Sequence, residues 1–287
     1  MNKLKLYIKL MRPKHYIKNI LIFVPLFFSK QILNIEYVTI TVLAFVSFSL
    51  LASCVYIIND LKDVDKDKLH PTKNKRPIAS GAIKKNEALI LLGINITISM
   101  GLNLFLLNFS TNLLYVLLSY FGYLLINIFY CFKGKNIPII DVFILAMSYF
   151  LRIFYGASIT NIIISDWLYL SIIAVAFYLG FGKRRNEIRK IGKKTKTRQV
   201  LKSYNETFLT CNMYMFLGLG IMFYSLWSMQ KNAVITVPFL ILLCLKYSFN
   251  IEGDSDGDPV EVMFADKWFL PFVLLFVGLM VYALYIK

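Results

Sequence analysis

The sequence predicts an all-α integral membrane protein, a polytopic bundle of about nine transmembrane helices. Hydrophobic residues make up 58% of the chain and aromatic residues 16%, and the mean hydropathy is +0.63, outside the range of soluble globular domains. Apolar stretches of membrane-spanning length recur along the chain. The basic residues lie in alternate connecting segments, as they do in proteins that cross a membrane several times.

A membrane-spanning helix needs roughly 20 predominantly apolar residues. The predicted spans cover residues 16–30, 36–58, 87–108, 111–131, 137–160, 164–182, 205–229, 232–250 and 268–286. The basic N-terminal segment runs into the first span without a small-residue cleavage site, so we expect it to be retained. Because no repeat or low-complexity linker interrupts the pattern, we expect a single membrane domain over residues 1–287.

The charge distribution predicts topology. Most of the 32 Lys and Arg residues precede the first span or lie in every second loop, whereas the other side carries only Lys30, Lys231 and Lys287. By the positive-inside rule, the N-terminus and the basic loops are cytoplasmic and the C-terminus is not. A net charge of +16 would favour nucleic-acid binding in a soluble protein. Here topology and anionic lipid account for it, so we expect no nucleic-acid partner.

The four cysteines, Cys54, Cys131, Cys211 and Cys244, are widely spaced and lie in or beside apolar segments. None forms a C-x-x-C pair or has a histidine nearby. We therefore expect small core residues and no disulfide or metal site among them.

An acidic segment follows the second span. If its helix continues, Asp60, Asp63 and Asp67 share one face at spacing i, i+3, i+7, while Asp65 points elsewhere. Carboxylates on one face repel unless a cation lies between them, and Mg²⁺ binds one or two carboxylates together with water and phosphate oxygens. The segment therefore predicts a magnesium–diphosphate site with these three aspartates as ligands. The alternative is a solvated helix end whose acids pair with neighbouring lysines.

The next segment, residues 70–81, contains two prolines and cannot continue the helix. It carries Lys73, Lys75 and Arg76, which we expect close to the carboxylates. Such cations neutralise a polyanion and stabilise the charge on a leaving group. His70, before a proline, is interpreted as a structural residue, although a role as a base stays open.

Two further polar features stand apart. Arg152 falls within the fifth span, where a charge without compensation costs about 2.5–3.5 kcal/mol on insertion scales, so it must face the bundle or a wet cavity. It is either the partner of a buried polar group or a substrate contact. The acidic loop at 252–258 lacks the spacing of a calcium-binding loop and is interpreted as a turn.

The acidic and basic segments together form N-D-x-x-D-x-x-x-D, beginning at Asn59, followed by R-P-I-x-x-G. This pattern resembles the first signature of the UbiA superfamily of intramembrane prenyltransferases, which implies nine helices and a magnesium-dependent site facing the cytoplasm. The segment from Arg12 through Lys18 and Asn19 resembles that family's opening motif. Segments around Asp141 to Ala157 and from Tyr204 onward resemble its fifth and seventh helices.

One departure bears on the substrate. Aromatic prenyltransferases of this superfamily carry a second Asp-rich motif between the sixth and seventh helices. This chain has Gly182-Lys183-Arg184-Arg185-Asn186-Glu187 there, with Glu187 the only acid between residues 167 and 205. Cations in place of carboxylates favour additional phosphate groups over a second metal. The segment resembles the branch typified by decaprenyl-phosphate phosphoribosyltransferases.

That resemblance implies a membrane enzyme that takes phosphoribosyl pyrophosphate as donor and a polyprenyl phosphate as acceptor, with Mg²⁺ on Asp60, Asp63 and Asp67. The expected substrate-binding residues are Lys18, Asn19, Asn59, Lys73, Arg76, Arg152, Lys183, Arg184, Glu187 and Tyr204. It also implies a bacterial inner membrane location with the site facing the cytoplasm; a homo-oligomer stays open. The alternatives are prenyl transfer to an aromatic or other acceptor, and a transporter or lipid scaffold. Transporters place paired charges near the bilayer midplane, whereas Arg152 is the only deep charge here.

Overall fold

The computed structural model describes residues 3–69, 73–191, 199–252, 262 and 266–287. All regular structure within those residues is helical, as predicted. The α-helices are α1 (Lys3–Met11), α2 (Val24–Phe28), α3 (Ile35–Lys62), α4 (Val64–Lys68), α5 (Lys85–Leu106), α6 (Leu113–Phe132), α7 (Ile140–Thr160), α8 (Asp166–Ile191), α9 (Glu206–Gln230), α10 (Val237–Glu252) and α11 (Phe269–Val281). A 3₁₀ helix, Pro13–Phe23, joins α1 to α2.

Among the described helices, seven are long and apolar enough to cross a membrane, and the chain is an integral membrane protein. They are Ile35–Lys62, Lys85–Phe109, Leu113–Phe132, Ile140–Thr160, Glu206–Gln230, Val234–Glu252 and Phe269–Ile286. Each coincides with a predicted span. The other two predicted spans do not form long apolar α-helices of this kind. Residues 16–28 lie in the 3₁₀ helix and the short α2. Residues 166–182 lie in α8, where the charged segment from Lys183 onward shortens the apolar stretch.

Packing divides the chain into two compact units. The first comprises Met1–Lys135 and Leu151–Ile162, and the second comprises Asn136–Phe150 and Ile163–Lys287. Each is described by itself below. The single membrane domain expected over residues 1–287 stays a prediction.

The core of the first unit is built around α3. The Phe48 ring lies 4.6 Å from the Tyr123 ring and 5.2 Å from the Tyr155 ring, centroid to centroid. Ser47 and Ser99 each donate to the other's carbonyl, at 2.9 and 2.7 Å, which ties α3 to α5. Such interhelical bonds satisfy polar groups that lipid cannot satisfy.

Gly156 of α7 allows the 3₁₀ helix to pack closely in the same unit. A Cβ atom at this position would lie 2.1 Å from the Ile22 carbonyl oxygen. Any side chain would therefore push the 3₁₀ helix away, together with Lys18 and Asn19 that it carries.

In the second unit, α8 packs against α9 and α10. The Phe177 and Phe216 rings stack with centroids 4.7 Å apart, and Ser171 donates to the Gly220 carbonyl at 3.1 Å. The Tyr178 hydroxyl donates to the Cys244 carbonyl at 2.9 Å. These contacts fix the first half of α8, and the helix then continues into the basic segment that begins at Lys183.

All four cysteines are free thiols in the structure. Cys54, Cys131 and Cys244 are buried as expected. Cys211 is exposed on α9, so the prediction that it belongs to the core is wrong. Hydropathy identified the helix, but not the face on which Cys211 lies.

The predicted topology can be tested by thiol labelling from each side of the membrane, in a Cys211→Ser background. Asn74→Cys and Lys194→Cys are expected to react with an impermeant reagent only from the cytoplasm, and Lys231→Cys only from outside. Asn74 and Lys231 are exposed, whereas residue 194 lies outside the described residues. Labelling of positions 74 and 194 from opposite sides would overturn the nine-helix topology.

Candidate functional site

The acidic segment does not continue α3. The helix ends at Lys62, and Asp63 has φ −92° and ψ 10°, after which α4 begins at Val64. The condition under which the three aspartates would share one helical face is therefore not met. Asp65 nevertheless points away, with its side chain 92% exposed.

Asp60 and Asp67 still meet at one point, because the chain folds back through Arg76. The Arg76 Nη1 atom lies 3.0 Å from Asp60 Oδ1 and 2.6 Å from Asp67 Oδ2. Arg12 Nη2 lies 2.5 Å from the same Asp60 oxygen. Asp60 and Asp67 are both buried, at 3% and 4% exposure. The predicted proximity of Arg76 to the carboxylates is thus confirmed.

Asp63 has a different partner. Both of its carboxylate oxygens accept hydrogen bonds from Lys135 Nζ, at 2.8 and 2.6 Å. Lys135 lies just beyond α6, in one of the basic connecting segments. Arg12 and Lys135 are therefore contacts of the acidic segment that the sequence analysis did not identify as site residues.

The carboxylates of this segment can be compared with the ligands that a magnesium ion requires. Among the described residues, no three Asp, Glu, His or Cys side chains are grouped closely enough to hold a metal. However, Asp60 and Asp67 lie on either side of one cationic nitrogen, and both offer hard oxygen ligands. Mg²⁺ needs only one or two carboxylates when phosphate and water complete its octahedron. The pair fits such an ion, whereas both carboxylate oxygens of Asp63 are bonded to Lys135.

The remaining predicted residues of this segment are more exposed. Lys73 begins a 3₁₀ turn, Lys73–Lys75, and is exposed. Asn59 is half-buried, and its carbonyl accepts from the Asp63 amide at 2.9 Å where α3 ends. His70 lies outside the described residues.

Arg152 is buried, at 4% exposure, and is bound to polar groups of the first unit. Its Nε donates to Asn19 Oδ1 at 2.8 Å, and its Nη2 donates to the Tyr123 hydroxyl at 3.0 Å. Asn19 in turn donates to Ser49 Oγ at 2.9 Å. These contacts support the first of the two alternatives for Arg152, a partner of buried polar groups. Lys18, beside Asn19 on the 3₁₀ helix, is half-buried.

A second charged cluster lies in the second unit, where α7 begins and α8 ends. Arg184 is fully buried; its Nε donates to Asp141 Oδ2 at 2.5 Å, and its Nη1 lies 2.9 Å from both Glu187 oxygens. Tyr204 donates to Asp141 Oδ1 at 2.5 Å and accepts from the Ile139 amide at 2.6 Å. Arg184, predicted to bind phosphate, is thus bonded to two carboxylates of its own unit.

Two features of this cluster indicate that it is held rigidly. Ile139 has φ +69°, a conformation that is strained for a β-branched residue, and its amide is bound by Tyr204. Burial, followed by the hydrogen bond to Asp141, raises the pKa of Tyr204, so that the phenol stays protonated and donates to Asp141. Asp141 was noted only as part of a family motif. Its position at the start of an apolar span was the available signal.

The neighbouring basic residues are arranged differently. Lys183 is half-buried, and Arg185 Nη2 lies 2.5 Å from Glu252 Oε1. Arg189 forms ion pairs with Glu206 and Glu252 at the surface of the unit. The acidic loop beyond Glu252 and most of the basic stretch from Lys190 to Arg198 lie outside the described residues.

Comparison with known proteins agrees with this architecture. The sequence profile of the UbiA prenyltransferase family matches residues 20–273. Decaprenyl-phosphate phosphoribosyltransferase of Corynebacterium glutamicum is 32% identical over 97% of this chain and 86% of its own length. The protein of the same name from Mycolicibacterium smegmatis is 29% identical over 97% of this chain and 92% of its own length.

Among solved structures, a UbiA homologue from Archaeoglobus fulgidus, bound to GPP and Mg²⁺, superposes with a TM-score of 0.72 at 18% identity. The match covers 97% of this chain and 98% of that one. At this identity the likeness shows the fold alone. The chain is thus a polytopic, all-helical membrane protein with acidic and basic side chains joined at the ends of its helices. It belongs to the UbiA prenyltransferase family and is a membrane transferase of that superfamily.

Proposed function

We propose that the chain is a polyprenyl-phosphate phosphoribosyltransferase that moves 5-phosphoribose from phosphoribosyl pyrophosphate to a polyprenyl, decaprenyl-like, phosphate. The observation that carries the proposal is the basic segment at the end of α8. Glu187 is the only acid between residues 167 and 205, and both of its oxygens are bonded to Arg184. The segment thus lacks the second Asp-rich motif that would hold a second metal on a prenyl diphosphate. The identity to two decaprenyl-phosphate phosphoribosyltransferases supports the same donor.

The reaction needs no protein nucleophile. The bond from ribose C1 to the pyrophosphate oxygen breaks, pyrophosphate leaves with the electron pair, and an ionised oxygen of the lipid phosphate bonds to C1 from the opposite face. C1 is therefore inverted. A magnesium ion, when bound, neutralises charge on the leaving pyrophosphate. Asp60 and Asp67 would hold it, with Asp63 as the third predicted ligand.

The chain's own cations orient the substrates. Arg12 and Arg76 already lie against the buried carboxylates, and each can offer further guanidinium donors to a diphosphate, which planar guanidinium groups bind bidentately. The other proposed substrate-binding residues are Lys18, Asn19, Asn59, Lys73, Lys183, Glu187 and Tyr204. Arg152 and Arg184 are proposed to act through the polar groups to which they are bonded. We place the enzyme in a bacterial inner membrane with the acidic segment facing the cytoplasm and with no nucleic-acid partner. A homo-oligomer is compatible with this assignment.

Prenyl transfer to an aromatic or other acceptor is the second candidate. It is favoured by the shared fold with a structure that holds GPP and Mg²⁺. The acidic segment alone would suit either diphosphate donor, so the difference rests on the basic segment of α8.

An activity assay of the purified protein in detergent distinguishes phosphoribosyl transfer from prenyl transfer. With Mg²⁺, labelled phosphoribosyl pyrophosphate and a polyprenyl phosphate, label is expected in the lipid fraction, and none when the lipid phosphate is omitted. Geranyl or farnesyl diphosphate with an aromatic acid is expected to give no product. Prenylated aromatic product, with ribose phosphate never entering the lipid, would replace the proposal with the second candidate.

A further inference from the structure

The N-terminal helix α1 lies beside the ends of two membrane-spanning helices. Lys3 Nζ lies 2.8 Å from Glu87 in the first turn of the spanning helix α5. At the other end of α1, Arg12 lies 2.5 Å from Asp60 near the end of the spanning helix α3. Because α3 and α5 are consecutive spans, the end of one and the start of the other are on the same side of the bilayer. Helix α1 is therefore anchored at both ends to one membrane boundary.

The helix presents apolar side chains on two opposite faces. Leu6 and Leu10 are buried, at 8% and 0% exposure, and pack with Ile57 of α3 and Ala88 of α5. Leu4 and Ile8, also one turn apart, are 62% and 47% exposed. An offset of two residues turns a helix by more than half a circle, so this second pair points away from the protein.

Lysines occupy the row between these faces. Lys5 and Lys9 are one turn apart and exposed. An interfacial helix has this arrangement: apolar side chains enter the headgroup and acyl boundary, while lysines extend their ammonium groups to the anionic surface. A binding site for a soluble acidic protein would use the lysines but would leave Leu4 and Ile8 in water at the membrane edge.

We propose that α1 docks on the anionic leaflet of the membrane, with Leu4 and Ile8 inserted and Lys5 and Lys9 bound to lipid phosphate groups. The partner is thus a lipid surface, independent of the donor and acceptor. The docked helix ends directly before Arg12, which holds Asp60. Lipid contact with α1 therefore also fixes the backbone that carries Arg12.

Insertion is tested on the full chain in nanodiscs of phosphatidylcholine mixed with phosphatidylglycerol. Ile8→Trp and Lys5→Trp place a tryptophan on the inserted and the lysine face, and the unsubstituted protein provides the background from its three native tryptophans. Trp at position 8 is expected to be quenched by brominated lipid, and Trp at position 5 by aqueous acrylamide. Acrylamide quenching of both positions, without an effect of the brominated lipid, would place α1 away from the bilayer and overturn the proposal.

Charge recognition is tested by native mass spectrometry of the lipids that the solubilised protein retains. Lys5→Gln/Lys9→Gln is expected to lower the affinity for phosphatidylglycerol roughly fivefold for each lysine removed. Lys66→Gln/Lys68→Gln removes the same charge from exposed positions of α4 and is the matched control. Equal losses in the two double variants, or no loss in either, would show that α1 has no specific role in lipid binding.

Discussion

Asp60→Asn is expected to lower the turnover number roughly a hundredfold or more, even at saturating Mg²⁺. The carboxylate is buried and accepts from two guanidinium groups, those of Arg12 and Arg76. The neutral amide cannot act as an anionic ligand for a metal. It also removes the carboxylate that Arg12 and Arg76 share and leaves Arg76 with Asp67 alone, so a loss of stability is expected in addition.

Asp65→Asn is the control for this variant, because it removes the same charge from the same segment at a side chain that is 92% exposed. It should leave both turnover and unfolding unchanged. Turnover is measured by label transfer at several Mg²⁺ concentrations, and stability by denaturation in detergent. A near-wild-type rate for Asp60→Asn at saturating Mg²⁺ would remove Asp60 from the metal site. Mn²⁺ binding followed by electron paramagnetic resonance provides a measurement that does not depend on activity.

Arg184→Gln is expected to destabilise the second unit by about 3–5 kcal/mol, because it leaves the fully buried Asp141 without its cation. Arg184→Lys should not restore stability, since one ammonium cannot reproduce the separate Nε and Nη1 bonds to Asp141 and Glu187. Thermal and chemical unfolding measure the loss. The donor KM of the folded fraction is measured alongside.

Arg189→Gln is the matched control on the same helix. Its ion pairs with Glu206 and Glu252 are at the surface, where such pairs contribute about 0–1 kcal/mol. If Arg184→Gln instead keeps wild-type stability and raises the donor KM ten- to hundredfold, the loss corresponds to a charged hydrogen bond of about 1.5–3 kcal/mol. Arg184 would then be a direct phosphate ligand, as the sequence motif predicts.

Hydropathy located seven of the membrane helices but could not describe the segment at 16–30. Apolar length alone does not distinguish an α-helix from the 3₁₀ helix that begins at Pro13. The break at Asp63 had no marker in the sequence either, because neither proline nor glycine is present there. The meeting of Asp60 with Asp67 was predicted from a continuous helix. In the structure it arises instead from Arg76, which contacts both carboxylates.

Long-range pairings were beyond the sequence. Asp141 lies 43 residues from Arg184 and 63 from Tyr204, and Lys135 lies 72 residues from Asp63. Which loop residue reaches which carboxylate depends on the packing and rotation of whole helices. Helix periodicity identifies faces but does not set these registers. The kinds of residue at the helix ends were therefore predictable, whereas their partners were not.

Arg76 has a consequence for the biogenesis of the protein. Two buried carboxylates, Asp60 at the end of α3 and Asp67 in α4, would oppose folding if the chain offered them no cation, but Arg76 supplies the counter-charge from within the chain. The first unit can accordingly be inserted and packed in a cell where Mg²⁺ and donor arrive later. If Asp60 and Asp67 hold a magnesium ion in the active enzyme, depletion of divalent ions should abolish turnover without unfolding the protein.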